Sequence, residues 1–239
     1  MKEAQIEKFT LIGHSMGGNV AGLYASLFPE KINKLVLLDA AGMPFIRQDW
    51  RSHVRQSIEK TTKTDSQAAR PNPAYSREAL IERIQAAMGM INSSLSPNAI
   101  EAWFERGATQ VEEDQFQINR DFRLGLPSPP IMGYDQMREL HQALIDADFD
   151  TLHLRPRDPE KFVGGFEDIS KFRTQTEAFV RLSSFFRVTK NLLVLVSLYT
   201  YSESIKKPGC KMDLIEGNHH FFINQYQPTA AAVDKFLSN

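Results

Sequence analysis

The stretch FTLIGHSMGGNV, from Phe9 to Val20, is the strongest indication of the fold in this sequence. The apolar run at its start is typical of a buried strand, and a helical pattern begins at Met16. Between them, residues 13–17 match G-x-S-x-G, in which a serine occupies a sharp, strained turn from a strand into a helix. We therefore expect Ser15 to project its hydroxyl as a nucleophile. The alternative is a plain glycine-rich turn without chemistry.

The neighbours of Ser15 have predicted roles as well. Gly13 and Gly17 are expected to be glycine because a Cβ at either position would collide with the adjacent strand or helix. The backbone N–H of Met16 is predicted to face a developing oxyanion, at the positive end of the following helix. His14 lies inside this turn, and its side chain is predicted either to be structural or to line the substrate pocket.

The chain continues as a β-α-β unit. Val20, Tyr24 and Leu27 lie on one face of the predicted helix, which Pro29 ends. Residues 34–39 (KLVLLD) form a second buried run. A strand, a helix and a strand with short links predict a parallel sheet, and hence an α/β fold.

Three segments of the chain differ in their predicted structure. Residues 1–43 form the first part of the predicted core, 44–148 a predicted helical block inserted into it, and 149–239 the returning core. Helices are predicted in the inserted block over 76–90, 97–107 and 135–147. In the returning core, strands are predicted over 150–155, 192–199 and 211–216, and helices over 169–186 and 229–237.

Residues 9–42 (FTLIGHSMGGNVAGLYASLFPEKINKLVLLDAAG) resemble the α/β-hydrolase fold superfamily along their whole length. WFERG at 103–107 and FQINRDFRL at 116–124 are similar to the cap of the serine hydrolase-like proteins, and EGNHHFF at 216–222 is similar to their ending. The resemblance implies a partial α/β-hydrolase fold, with a mostly parallel sheet and an inserted helical cap.

A serine nucleophile needs a base, and the base needs an acid to orient it. The superfamily order is serine, acid, histidine, which nominates His219 or His220 after the last strand. The resemblance of GNH to the serine hydrolase-like family favours His219, whereas Gly-x-x-His spacing favours His220. Asp158 is the predicted acid, because TLHLRPRDP resembles the strand-then-Asp arrangement of the superfamily, and Glu203 is the alternative.

In the superfamily several strands and an HG-type oxyanion loop precede the elbow. Here eight residues precede Phe9, and the sequence contains no His-Gly pair. Loss of one oxyanion donor costs roughly 10²–10³ in rate. The sequence therefore predicts a fragment, or one piece of a complemented enzyme. Two functions remain open: a serine hydrolase of the carboxylic ester type (EC 3.1) acting on ester or related acyl bonds, and a catalytically inactive relic that acts as a binding or scaffold protein.

The composition limits which kinds of binding partner are expected. The net charge of −1 gives no field that would attract nucleic acid, and no apolar run is long enough to predict a membrane span. The single cysteine, Cys210, fits a reducing compartment, so a cytoplasmic location is expected. No metal and no cofactor are expected. The predicted partner is a small ester-like molecule, and an oligomer or a complementing chain remains open.

Overall fold

The computed structural model describes residues 6–40, 50–65, 72–90, 94–121, 124, 134–157 and 207–239. The predicted helix over 169–186 and the predicted strand over 192–199 lie outside these residues, as do the candidate acids Asp158 and Glu203. Within the described part of the chain, no helix combines the length and apolar character needed to cross a membrane.

The elements follow one another along the chain with long connections between some of them. In order they are β1 (Phe9–His14), α1 (Met16–Leu27), a 3₁₀ turn (Pro29–Lys31), β2 (Ile32–Leu38), α2 (Trp50–Asp65), α3 (Arg77–Met90), α4 (Pro97–Gly107), β3 (Ala108–Glu112), β4 (Gln115–Ile118), α5 (Tyr134–Asp146), β5 (Asp150–Pro156), β6 (Cys210–Ile215), α6 (Phe221–Asn224) and α7 (Tyr226–Leu237).

The chain divides into two compact units. One combines Met1–Ile46 with Met132–Asn239, and the other is Arg47–Ile131. Helix α5 belongs to the first unit and packs against α1 there, although the sequence placed it in the helical block that ends at residue 148.

Among the described residues, a parallel sheet of four strands forms the centre of the first unit. Its strand order is β1-β2-β5-β6, and all three pairings are parallel. The α/β class with a mostly parallel sheet is therefore confirmed, and β1-α1-β2 is the predicted β-α-β unit. The carboxyl ends of all four strands lie at the same edge, which is where open α/β sheets place their functional groups.

Each face of this sheet carries its own hydrophobic core, because successive side chains of a strand point to opposite faces. One core lies between the sheet, α1 and α5, and contains Ala21, Ala25, Ile32, Leu35, Leu37, Leu144, Ala147 and Phe149. The other is covered by α6 and α7, and contains Val36, Leu38, Leu152, Leu154, Ile215, Phe221 and Phe236. The strands are thus fixed on both faces, and their carboxyl ends are held in place.

Helix α1 turns its small residues, rather than its large apolar ones, to the sheet. Val20 and Leu27, which lie on one face of the helix with Tyr24, are 61% and 54% exposed. Tyr24 does pack against the core. The buried positions are small residues: Gly18, Ala21, Gly22, Ala25 and Ser26. A helix that follows a tight turn runs close to its own sheet, and small side chains allow that close approach.

The second unit contains helices α2 to α4 and a β-hairpin that the sequence did not predict. The helices predicted over 76–90 and 97–107 are confirmed by α3 and α4. The hydroxyls of Ser76 and Ser96 accept hydrogen bonds from the N–H groups of Ala79 and Ala99, as helix-capping serines do.

The hairpin pairs β3 with β4 across a turn at Glu113 and Asp114. Asp114 has φ 50°, a left-handed conformation that aspartate tolerates. Asn119, from the NRD motif, donates its backbone N–H to the carbonyl of Gly107 at 2.8 Å and accepts from the Thr109 hydroxyl at 2.6 Å. That motif therefore fastens the hairpin to the end of α4.

Candidate functional site

Ser15 occupies the strained turn that the sequence predicts, between β1 and α1. Its φ of 50° and ψ of −119° lie in a region that non-glycine residues rarely adopt. Its N–H donates to the carbonyl of Leu38 at 3.0 Å, which ties the turn to the end of β2. Met16 is the first residue of α1, so its N–H has no acceptor within the helix. Backbone strain and a free helix N-terminus thus meet at one residue.

Two glycines make this turn sterically feasible, and one of them is not the one predicted. A Cβ on Gly13 would overlap the backbone, lying 2.7 Å from the Cα of Gly18. A Cβ on Gly18 would overlap the Ala40 side chain and lie 3.0 Å from the carbonyl oxygen of Gly13. Among the described residues nothing lies within 4 Å of a Cβ built on Gly17. The steric argument for Gly17 is therefore wrong, and it applies to Gly18 instead.

We expect Gly18→Ala to destabilise the protein and Gly17→Ala to be tolerated. Overpacking of this kind costs about 1–3 kcal/mol, because the Ala40 side chain and the β1–α1 turn must move apart. The two variants add the same methyl group to adjacent positions of one helix, so helix propensity is matched between them. Thermal melting followed by circular dichroism measures the difference. Equal melting temperatures for the two variants would contradict the close packing at Gly18.

A buried carboxylate contacts one of the two candidate histidines. The Nδ1–H of His219 donates to Asp39 Oδ2 at 2.6 Å, and the two side chains are 9% and 3% exposed. Such a short bond between buried groups is typical of a charge-assisted hydrogen bond. It holds the imidazole as the Nδ1–H tautomer, which leaves Nε2 with a lone pair to accept a proton.

The strand register brings these groups together. His14 pairs with Leu38 across β1 and β2, so Ser15 and Asp39 are the next residues of two neighbouring strands. Asp39 itself has φ 43°, a second left-handed turn at a strand end. Its N–H donates to the carbonyl of Leu154 at 2.8 Å. Ser15 and Asp39 therefore follow neighbouring strands at the same edge of the sheet.

The second oxygen of Asp39 faces a buried cation. Arg155 Nε lies 3.1 Å from Asp39 Oδ1, as an ion pair whose N–H is not aligned as a hydrogen bond. The Arg155 side chain is 7% exposed. A carboxylate that is taken out of water needs such partners, because an unpaired buried charge is very costly.

His14 supports the backbone of the candidate base. Its Nε2 lies 2.8 Å from the carbonyl oxygen of His219, so the Nε2–H tautomer satisfies this hydrogen bond. Its ring centre is 4.6 Å from that of His219 and 4.3 Å from that of Phe222. Burial lowers the pKa of His14 to about 4, so the ring is neutral at pH 7. The substrate contact predicted for His14 stays a prediction beside this structural contact.

His220 lies next to the pair, with its ring centre 5.1 Å from that of His219. Burial lowers its pKa to about 4, with the neighbouring His219 as the next cause. Within the described residues, the Ser15 hydroxyl forms no hydrogen bond to either imidazole. Catalytic hydrogen bonds of ligand-free sites are often long and tighten when substrate binds. No group of three His, Cys, Asp or Glu suited to a metal ion occurs in the described part of the chain.

Comparison with known proteins agrees with this geometry. The family model described as the alpha/beta hydrolase fold matches residues 1–80. A serine hydrolase-like protein of Danio rerio is 35% identical over 134 residues, which are 55% of this chain and 40% of that protein. The chain is thus similar to the α/β-hydrolase superfamily.

Two further comparisons extend this similarity. A serine hydrolase-like protein of Mus musculus is 33% identical over 127 residues, covering 50% of this chain and 38% of that protein. The matches thus span about two fifths of these curated relatives. The solved structure of a hypothetical protein from Pseudomonas aeruginosa PAO1 superposes with a TM-score of 0.69 at 18% identity, over 100% of this chain and 70% of the other, and it shows a shared fold.

Asp39 is a residue of the candidate site that sequence reasoning missed. The chain reads KLVLLD, and the aspartate was taken as the end of a strand. A signal was available: an acidic residue directly follows a fully apolar strand that was predicted to be parallel to the elbow strand. The carboxyl ends of neighbouring parallel strands meet at one edge, so a carboxylate there lies beside the elbow serine. The predicted acid Asp158 and its alternative Glu203 lie outside the described residues.

Proposed function

We propose that this chain hydrolyses ester or related acyl bonds through Ser15, His219 and Asp39. The observation that carries the proposal is the buried hydrogen bond from His219 Nδ1–H to Asp39 Oδ2, located at the sheet edge where Ser15 leaves β1. A strained serine turn, an imidazole with a free Nε2 and a buried carboxylate are the three parts that acyl transfer by a serine needs.

The reaction follows from these groups. Oγ of Ser15 attacks the acyl carbon while Nε2 of His219 accepts the hydroxyl proton. The Met16 N–H, at the start of α1, donates to the oxyanion that forms. The imidazolium then gives its proton to the leaving alcohol, and an acyl group remains on Ser15. Water, deprotonated by the same nitrogen, attacks the acyl group, releases the acid and restores the serine.

His219 is preferred over His220 as the proposed base because the carboxylate contacts His219. Asp39 is preferred as the proposed acid because it contacts the imidazole of His219 directly, whereas Asp158 remains a prediction from the sequence. Asp39 aligns the ring and stabilises the imidazolium, and it does not itself have to accept the proton.

A fluorophosphonate probe tests the proposal on the full chain. We expect the wild-type protein to be labelled at one serine and Ser15→Ala to remain unlabelled, because the probe reacts with an activated hydroxyl. Ser238→Ala is the matched control: this hydroxyl, at the other end of the chain, donates to the carbonyl of Asp234 and is exposed. A folded wild-type protein that takes up no label and cleaves no p-nitrophenyl acetate would contradict the proposal.

A further inference from the structure

Three consecutive residues of β5 hold the turn that carries Asp39. The carbonyl of Leu154 accepts the Asp39 N–H at 2.8 Å. The imidazole of His153 donates to the backbone of Ala40, the next residue along the chain. Arg155 Nε lies 3.1 Å from Asp39 Oδ1. We call His153, Leu154 and Arg155 the β5 clamp.

The β5 clamp is buried, and Arg155 is its charged member. His153 is 3% exposed, and burial followed by the nearby Arg155 lowers its pKa to about 3, so the ring is neutral. Arg155 therefore contributes the positive charge of the clamp. Its guanidinium group faces the Asp39 carboxylate, and both side chains are buried away from water.

The two oxygens of the Asp39 carboxylate contact different partners. Oδ1 faces Arg155 and Oδ2 accepts from His219, so the plane of the carboxylate is set from both sides. Without the cation, Asp39 would be a buried anion with His219 as its remaining side-chain partner among the described residues. Such a group turns toward water, and the hydrogen bond to the imidazole then weakens.

We propose that Arg155 is a positioning residue, which holds the Asp39 carboxylate against His219 from the far side of the site. The proposal rests on the proposed function, since it assigns Arg155 to the acid of the same triad. Arg155 contacts neither the nucleophile nor the substrate in this role. It acts through Asp39, and its removal should slow the proton transfer while leaving substrate binding unchanged.

The test compares Arg155→Gln with Arg155→Lys in the full-length chain. Arg157→Gln is the matched control, because Arg157 lies two residues further along and forms an ion pair with Glu216 at the surface, where the two side chains are 55% and 67% exposed. Two readouts are used. One is kcat and KM for p-nitrophenyl acetate, and the other is the far-downfield proton resonance of the His219 Nδ1–H.

We expect Arg155→Gln to lower kcat by about 10²-fold with KM nearly unchanged, as small misplacements of catalytic groups do. The downfield resonance should disappear with it. Arg155→Lys, which restores the charge, should recover most of kcat and the resonance. Arg157→Gln should match the wild type in both readouts. An Arg155→Gln protein with wild-type kcat and an intact resonance overturns the proposal, as does a Lys variant that behaves like the Gln variant.

A second measurement applies if Arg155→Gln does not fold. In the wild-type chain, the Arg155 Nε–H should exchange slowly with solvent, and Asp39→Asn should accelerate that exchange while Asp213→Asn should not. Equal exchange in both variants overturns the proposal. The outcome is separable from the proposed function: a chain that never reacts with fluorophosphonate, but whose His219 resonance depends on Arg155, rejects the hydrolase and retains the positioning role.

Discussion

Replacing His219 with glutamine is expected to lower kcat by about 10⁶-fold, the loss typical of removing the histidine of a serine triad. Glutamine keeps a hydrogen-bond donor that can reach Asp39, but it has no nitrogen able to accept the serine proton. The carbonyl at position 219 still accepts the hydrogen bond from His14, so the local backbone remains supported. Hydrolysis of p-nitrophenyl acetate measures kcat.

His220→Gln provides the matched comparison, since it makes the same change one residue away. We expect kcat to stay within about tenfold of the wild type, or about 1.4 kcal/mol in the barrier. Circular dichroism should show both variants folded. If His220→Gln is the inactive variant and His219→Gln retains its activity, the base is His220 and the Asp39 contact is structural. If both variants retain wild-type kcat, neither imidazole takes the serine proton.

Asp39→Asn is expected to lower kcat by about 10⁴-fold, because an amide in place of the carboxylate favours the wrong imidazole tautomer. The buried Arg155 would also lose its counterion. Removal of one partner of a buried ion pair costs about 3–5 kcal/mol, a large part of the stability of a typical domain. The melting temperature should therefore fall together with kcat, and rates must be measured well below the new midpoint.

Two controls separate these effects. Asp213→Asn changes an exposed aspartate of β6, and we expect it to alter neither kcat nor stability appreciably. Asp39→Glu keeps the charge and displaces the oxygens by one methylene, so it should melt closer to the wild type while kcat remains low. A folded Asp39→Asn protein with wild-type kcat would show that the acid lies elsewhere, and Asp158 would then be the next residue to replace.

Much of the fold follows from short-range patterns. Apolar runs ended by glycine or aspartate predicted the parallel strands β1 and β2, and the serine cap at Ser76 located α3. The buried face of α1 could not be predicted from periodicity, because glycine and alanine at its contact positions carry no hydrophobic signal. The hairpin of β3 and β4 was missed for a related reason: its strands are only 5 and 4 residues long, and β3 is largely exposed.

The candidate site, too, could be predicted only in part from the sequence. Ser15 and the His219–His220 pair were found because local spacing marks a nucleophile turn and the residues after a last strand. Asp39 and Arg155 were missed because their roles depend on which strands are neighbours and in what register, and that information is non-local. Gly17 and Gly18 differ for the same reason, since contact with Ala40 appears only when β2 lies beside α1.

The order of Ser15, Asp39 and the second compact unit along the chain affects how the sequence can change. Ser15 and Asp39 directly follow the two strands of a single β-α-β unit, and the second compact unit, Arg47–Ile131, comes later in the chain than both of them. The distance between hydroxyl and carboxylate is fixed by the pairing of two adjacent strands and is independent of the inserted sequence. Recombination that exchanges the insert therefore leaves the spacing of these groups intact.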